Sequence, residues 1–366
     1  MLENEDYLTQ QIITYIGNKR TIIHDIEPVV IDIKNKLSKK NLVTADLFSG
    51  SGIVARMLKQ HSSKIICNDL ENYSYVINSC YLTNKKDFDF EKYDYLKSKI
   101  LTAASKKLIR GIITENYSPH DENNIQKTDR VFYTKENALL IDTYRALTDQ
   151  FVDEDFKQYF LAPLITEASI HTNTSGVFKG FYKNKETGIG TFGGAGRNAL
   201  SRILKTIELK TPVFSNFNSK FELHQENTIE LSRKLKNIDI AYLDPPYNQH
   251  PYGSNYFMLN LILKNEITAP ASPVSGIVSG WNHSEFNKKN LALSSMTQII
   301  ENLDAKFVII SYNSEGFISF EDMKSMLKKY GKLSTKEIFY NTFRGSRNLN
   351  NRNIHVKEYL FILEKK

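Results

Sequence analysis

Short apolar runs rich in β-branched and aromatic residues recur along the chain, and each ends in polar or acidic residues: 42–48 (LVTADLF), 64–69 (KIICND), 220–226 (KFELHQE), 238–244 (IDIAYLD) and 306–312 (KFVIISY). Runs that lack strict alternation suit strands covered on both faces, as in a parallel sheet. After the first run, Ser49-Gly50-Ser51-Gly52 predicts a tight turn and IVARMLKQ has helical spacing; another helix is predicted from Tyr75 to Leu82. A βαβ unit therefore begins near residue 42. From 85 to 215 the pattern changes to amphipathic helical stretches, 86–109 and 135–160, followed by a Gly-, Asn- and aromatic-rich segment, 171–197. Near the C-terminus, KEIFYNTF and VKEYLFIL flank RGSRNLNNRNIH, which predicts a hairpin with a long basic loop of the kind that usually has a function. The predicted fold class is α/β: a core formed by 1–84 and 216–366, interrupted by a largely helical insertion, 85–215.

Composition narrows the picture without changing it. Of 366 residues, 41% are apolar and 24% charged, which excludes a disordered or fibrous chain. Lys and Arg number 48 against 41 acids, and the resulting +7 suits a polyanionic partner without requiring one. No apolar stretch approaches the ~18 residues of a membrane span. The first residues, MLENEDYLTQQ, are acidic and polar, unlike a secretory signal, so a cytoplasmic location and no membrane partner are expected. Two cysteines, Cys67 and Cys80, are too few for a disulfide framework or zinc cage and are expected to be buried spectators; no metal site is expected.

Two motifs carry candidate chemistry. Gly50-x-Gly52-x-x-Ala55 has the glycine pattern of a strand-to-helix turn that approaches a ligand closely, and Asp69 closes the next strand, where a carboxylate can accept both ribose hydroxyls. The pair points to an adenosine-containing cofactor, and nicotinamide dinucleotides and S-adenosylmethionine both remain open. The second motif is Asp244-Pro245-Pro246-Tyr247 at the end of an apolar run. Consecutive prolines fix φ and remove two donors, leaving stiffly held acceptor carbonyls. Asp244 and the Pro245 carbonyl could then accept both hydrogens of an exocyclic amine, and Tyr247 offers a face for a base taken out of its stack.

These motifs resemble the Dam-like adenine-specific DNA methyltransferases that depend on S-adenosylmethionine. The resemblance rests on Tyr15-Ile16-Gly17-Asn18-Lys19, then Asp46-Leu47-Phe48-Ser49-Gly50-Ser51-Gly52, then Asp244-Pro245-Pro246-Tyr247, in the alpha-type order of that family, with 85–215 where the family places its target-recognition domain. The resemblance implies a Rossmann-like class I methyltransferase core, a mixed, mostly parallel sheet with helices on both faces. It implies that Tyr15, Gly17 and Lys19 help bind S-adenosylmethionine, with the lysine reaching its carboxylate. Asp46, Phe48, Gly50 and Gly52 would form the cofactor turn, and Asp69 would hold the ribose. Asn227 and Thr228 fall in a segment similar to the one bordering the cofactor adenine. Asp244 would serve cofactor and target amine, with Pro245, Pro246 and Tyr247 completing the catalytic loop. Segment 176–194 is similar to the family's Gly-x-Phe-rich stretch, with Lys179 and a longer glycine loop as departures.

The implied reaction is in-line methyl transfer to the N6 amine of adenine in double-stranded DNA after base flipping, without a covalent intermediate. Neither cysteine has the setting of a cytosine-C5 nucleophile. Two basic regions are candidates for the DNA surface. The first carries Asn173, Lys179, Lys183 and Arg197, with His171, Lys185 and Arg202 nearby, interleaved with Phe178, Phe181, Tyr182 and Phe192. The second is the late loop with Arg344, Arg347 and Arg352. Trp281-Asn282-His283 could border a flipped base. A cognate restriction endonuclease acting on the same site is an expected partner. Alternatives are an amino-methyltransferase acting on cytosine N4 or on RNA, and an inactive DNA-binding module on the same core; a dehydrogenase would leave Asp244-Pro245-Pro246-Tyr247 unexplained.

Overall fold

The structure, a computed structural model, describes residues 2–194, 196–197, 199–341 and 355–366. Arg344, Arg347 and Arg352 lie outside the described residues.

All five apolar runs are strands of one sheet: β1 (Leu42–Asp46), β2 (Ser62–Asn68), β3 (Lys220–His224), β4 (Ile238–Leu243) and β5 (Ala305–Asn313). The C-terminal hairpin adds β6 (Gly331–Asn341) and β7 (His355–Lys365). The order is β3-β2-β1-β4-β5-β7-β6; β1 to β5 pair in parallel, and β7 lies antiparallel between β5 and β6.

Successive residues alternate between two cores, which explains why the central strands read as unbroken apolar runs. Ile65, Ile240, Phe307 and Ile309 face helices Ile23–Lys36 and Ile53–Lys59 through Ile26, Val30, Val54 and Leu58. Ile66, Ala241, Leu243, Val308 and Ile310 face helices Thr228–Lys234, Lys289–Asn302 and Phe320–Leu327 through Leu231, Met296, Ile300 and Met323. Strand order reverses between β1 and β4, the place where open α/β sheets leave a crevice at their carboxyl ends.

A third core unites the predicted insertion with the rest. Tyr93, Leu96, Ile141, Phe160 and Leu164 pack with Tyr73, Ile77 and Tyr81 of helix Asn72–Tyr81 and with Phe257, Leu261 and Ile262 of helix Phe257–Lys264. Segment 85–215 therefore shares its interior with elements on both sides of it in sequence. The stretch predicted as one helix over 135–160 is two, Lys135–Phe151 and Gln158–Ile170. Between them a tight turn, Glu154–Phe156, brings Phe156 against Phe88, with stacked rings 5.9 Å apart. Among the described residues no helix is long and apolar enough to cross a membrane, and no acid, His or Cys cluster could hold a metal. Cys67 and Cys80 are buried free thiols.

Candidate active site

The glycine turn follows β1 directly. Gly50 (φ +49°) and Gly52 (φ +74°) take the left-handed conformation that side chains disfavour. The space beside them is also filled: a Cβ on Gly50 would lie 2.8 Å from Tyr15 Cε1, and one on Gly52 2.6 Å from Asn78 Oδ1. The Gly50 amide donates to Asp69 Oδ2 at 2.8 Å, and the Glu71 amide donates to Asp69 Oδ1 at 2.9 Å. Asp69 thus ties the turn after β1 to the end of β2.

Aromatic stacking sets the opposite wall. Tyr15 lies nearly parallel to Tyr252 and Tyr256, with ring centroids 4.9 and 4.8 Å away, and edge-on to Tyr73. The Ile16 amide donates to Tyr256 Oη at 2.7 Å, while Tyr252 Oη donates to the Ile16 carbonyl at 3.1 Å. These bonds hold the chain entering Gly17 (φ +73°) against the segment that follows Asp244.

Asp244 comes directly after β4, beside β1, and the Pro245 that follows it is buried. Lys19 Nζ lies 2.9 Å from Asp244 Oδ1 and 3.1 Å from Glu358 Oε1 of β7, and donates to the Gly17 carbonyl at 3.0 Å. Only 4% of Lys19 and 1% of Glu358 is exposed. Ser311 Oγ of β5 donates to Glu358. Burial pulls the Lys19 ammonium down, but Asp244 and Glu358 outweigh it and hold the group well above its ordinary value. Burial pushes the Asp244 carboxyl up to about 6, against the opposing pull of Lys19. Two more acids share the cavity: burial drives Asp46 to about 8 and Glu71 to about 7, with Asp244 adding to the first and Asp69 to the second. Burial also raises Asp69, partly offset by the amides it accepts.

Tyr15, Lys19, Asp46, Asp69, Glu71, Asp244 and Tyr252 line one cleft open to solvent, with about 750 Å³ of space including its mouth. Of the sequence-predicted residues, Tyr15, Gly17, Lys19, Asp46, Phe48, Gly50, Asp69, Thr228, Asp244 and Pro246 border it. Gly52 shapes the turn, and Tyr247 sits half-buried with its ring 6.4 Å from Tyr312. Asn227 is not at the wall: its Oδ1 accepts from the Ile229 amide at 2.9 Å, capping helix Thr228–Lys234, and its amide reaches Glu285. Lys19 is engaged by two protein carboxylates, a pairing that sequence did not foresee. Also missed were Glu71, Tyr252, Ser284, Asn287 and Glu358. Asn282, within the flagged Trp281-Asn282-His283, lines the cleft and donates to the Leu70 carbonyl at 2.8 Å. An acid inside the alternating apolar stretch VKEYLFIL was the one available signal for Glu358, and a second carboxylate two residues after Asp69 the signal for Glu71.

The predicted DNA-facing residues divide. Asn173 is fully buried; its amide donates to the Val131 and Thr191 carbonyls at 2.8 and 2.9 Å, and its Oδ1 accepts from the Gly193 amide at 3.0 Å, so it is a loop organiser and cannot reach a base edge. His171 is also buried, half-buried Arg202 donates to the Ile170, Thr172 and Thr174 carbonyls, and Phe178 and Phe181 belong to the helical core. Lys179 is exposed and meets His250, six residues beyond Asp244, at 3.2 Å. Lys183 lies over the Phe181 ring, and Arg197 is exposed.

Residues 15–326 match the model of the D12 class N6 adenine-specific DNA methyltransferase family. Among similar proteins, the type II methyltransferase M.NlaIII of Neisseria lactamica is 29% identical over 363 residues, covering 96% of this chain and 99% of that one. The type II methyltransferase M.CviAII of Paramecium bursaria Chlorella virus 1 is 31% identical over 363 residues, covering 96% and 98%. Modification methylase StsI of Streptococcus sanguinis is 28% identical over 373 residues, covering 96% of this chain and 52% of its own length. With a mixed, mostly parallel Rossmann-like sheet and an Asp-Pro-Pro-Tyr loop at its crevice, the chain belongs to the D12 class of N6 adenine-specific DNA methyltransferases.

Proposed function

We propose that this adenine methyltransferase uses S-adenosylmethionine, acts at a specific site in double-stranded DNA, and serves as the modification partner of a restriction endonuclease. The observation that carries the reading is Asp244, held by Lys19 at the end of β4 inside a cleft shared with the glycine turn. The cleft suits a ligand carrying both hydroxyls and cationic groups. Asp46 Oδ1 is buried with no hydrogen-bond partner among the described residues, a costly state that a donor from a bound molecule would relieve. Gly17 and Gly50 let backbone approach without a side chain between.

Tyr15, the glycine turn, Asp46, Asp69 and Thr228 are the residues that would hold S-adenosylmethionine, with Glu71 as a further acid at the same wall. When bound, the cofactor supplies an electrophilic methyl carbon whose bond to sulfur breaks with the electrons staying on sulfur. Asp244 and the Pro245 carbonyl accept the two hydrogens of the target amine, which leaves the nitrogen lone pair free to form the new bond. An Asp244 carboxyl pushed only to about 6 is ionised at neutral pH and can take the proton that the amine releases. Tyr247, at the rim, provides the face for the flipped adenine. Lys179, Lys183 and Arg197 are proposed contacts to the DNA backbone, and Arg344, Arg347 and Arg352 remain proposals of the same kind. A cytoplasmic location is part of the same proposal and is consistent with action on DNA. The relatives' names as type II methyltransferases support a partner endonuclease.

The test is direct. Incubation with methyl-labelled S-adenosylmethionine and duplex DNA, followed by hydrolysis and mass spectrometry, should yield N6-methyladenine within one sequence context. Label in cytosine or RNA, or no label, would overturn the reading.

A further inference from the structure

β7 separates β5 from β6, and its Glu358 pairs across the sheet with Asn313 and Ile338. A carboxylate in the middle of a sheet is costly unless a cation and hydrogen bonds satisfy it. Here Ser311 Oγ donates from β5 and Lys19 Nζ lies 3.1 Å away, while the same ammonium lies 2.9 Å from Asp244 Oδ1. One buried ammonium is thus shared between a carboxylate from the C-terminal hairpin and the carboxylate of the catalytic loop.

We infer that Glu358 is a positioning residue for methyl transfer: by drawing the Lys19 ammonium toward itself, it keeps that ammonium from pairing tightly with Asp244 alone and so leaves Asp244 able to accept the target amine. The inference rests on Asp244 being the amine acceptor. The charged and titratable groups around Asp244 are Lys19 from the N-terminal loop, Glu358 from β7, Asp46 from β1, Tyr242 within β4, Tyr252 from helix Tyr252–Asn255 and Tyr247 from its own loop. Burial pushes the Asp244 carboxyl up most, Lys19 pulls it down and Glu358 adds to the upward push. Were Glu358 uncharged, burial alone would oppose the pull of Lys19, and Asp244 would be a weaker acceptor that ionises at lower pH.

The test uses the full chain with Glu358→Gln, which keeps an acceptor for Ser311 while removing the charge. Single-turnover methylation of duplex DNA is followed against pH at saturating S-adenosylmethionine, with cofactor affinity measured by calorimetry. The plateau rate should fall roughly 10- to 100-fold, and the acid limb should move down by roughly one pH unit, with little change in cofactor affinity. In a Lys19→Met background, Glu358→Gln should cause no further loss, because no ammonium remains to be positioned. An unmoved acid limb with the wild-type rate, or equal losses in both backgrounds, would overturn the inference. Glu358→Asp, which keeps the charge on a shorter arm, should be intermediate in rate and limb and carries the test should Glu358→Gln fail to fold; a wild-type profile for it would count against the idea. If the wild-type chain methylates no adenine, the underlying reading fails instead.

Discussion

The Gly50 amide donates to Asp69 Oδ2 at 2.8 Å, so the turn that opens the cleft and the acid that closes the neighbouring strand are one rigid unit. The bond requires the left-handed backbone of Gly50, and Tyr15 fills the space where a side chain would go. Gly50→Ala should therefore cost at least about 1 to 2 kcal/mol of stability from the backbone alone, and more from the displaced Tyr15 ring. Chemical denaturation would measure the loss, and cofactor affinity should fall with it; an unchanged affinity would separate the turn from the cofactor site.

With Asp244 as the proposed amine acceptor, its carboxyl is expected to govern the pH dependence of the reaction. Its carboxyl must be ionised to accept the amine, and it titrates near 6, so the rate should rise with pH through about 6 and then level. Asp244→Ala should abolish methyl transfer while leaving duplex binding, as read by fluorescence anisotropy, nearly intact. A mutant that keeps most of its rate would show that the acceptor lies elsewhere.

Asp46 makes a prediction about stability. Its carboxyl ionises near 4 in the unfolded chain but near 8 in the fold. Between those values the unfolded state releases a proton that the folded state retains, so the stabilising contribution, complete at low pH, is lost as pH rises toward 8. Asp46→Asn removes that dependence. Its melting temperature without cofactor should exceed the wild type's most at pH 8 and above, with the advantage shrinking toward pH 4; a constant offset would refute the assignment.

Asn173 and Lys179 should behave in opposite ways. Asn173→Ala leaves the buried Val131 carbonyl, Thr191 carbonyl and Gly193 amide without their partner and should cost about 1 to 3 kcal/mol of stability. Lys179→Ala, at an exposed position, should shift stability by no more than about 0.5 kcal/mol. It should instead weaken DNA binding across sequences and lower the salt slope by about one. Melting curves and salt-dependent binding isotherms distinguish the two.

Strand positions, the glycine turn and the Asp-Pro-Pro-Tyr loop were legible in the amino-acid sequence because each is a local property. Two-sided burial requires a continuous apolar run such as IDIAYL, a left-handed turn requires Gly50 and Gly52, and paired prolines restrict the backbone on their own. Even the hairpin could be read from two strand-forming stretches around a polar loop.

What only the tertiary structure decided concerns which side chains meet. Asn173 and Lys179 look alike as polar residues of one basic segment, yet one is enclosed by carbonyls from Val131 and Thr191 and the other faces His250. Segment 85–215 reads as an insertion, but its core closes only when helix Phe257–Lys264 packs into it. Glu358 stands 339 positions beyond Lys19 in the numbering, roughly 340 residues of chain whose closure carries no local signature, and comes to 3.1 Å because β7 inserts between β5 and β6. Local chemistry is written in neighbouring residues; charge pairing in the interior depends on long-range packing, and that is where the sequence on its own stopped.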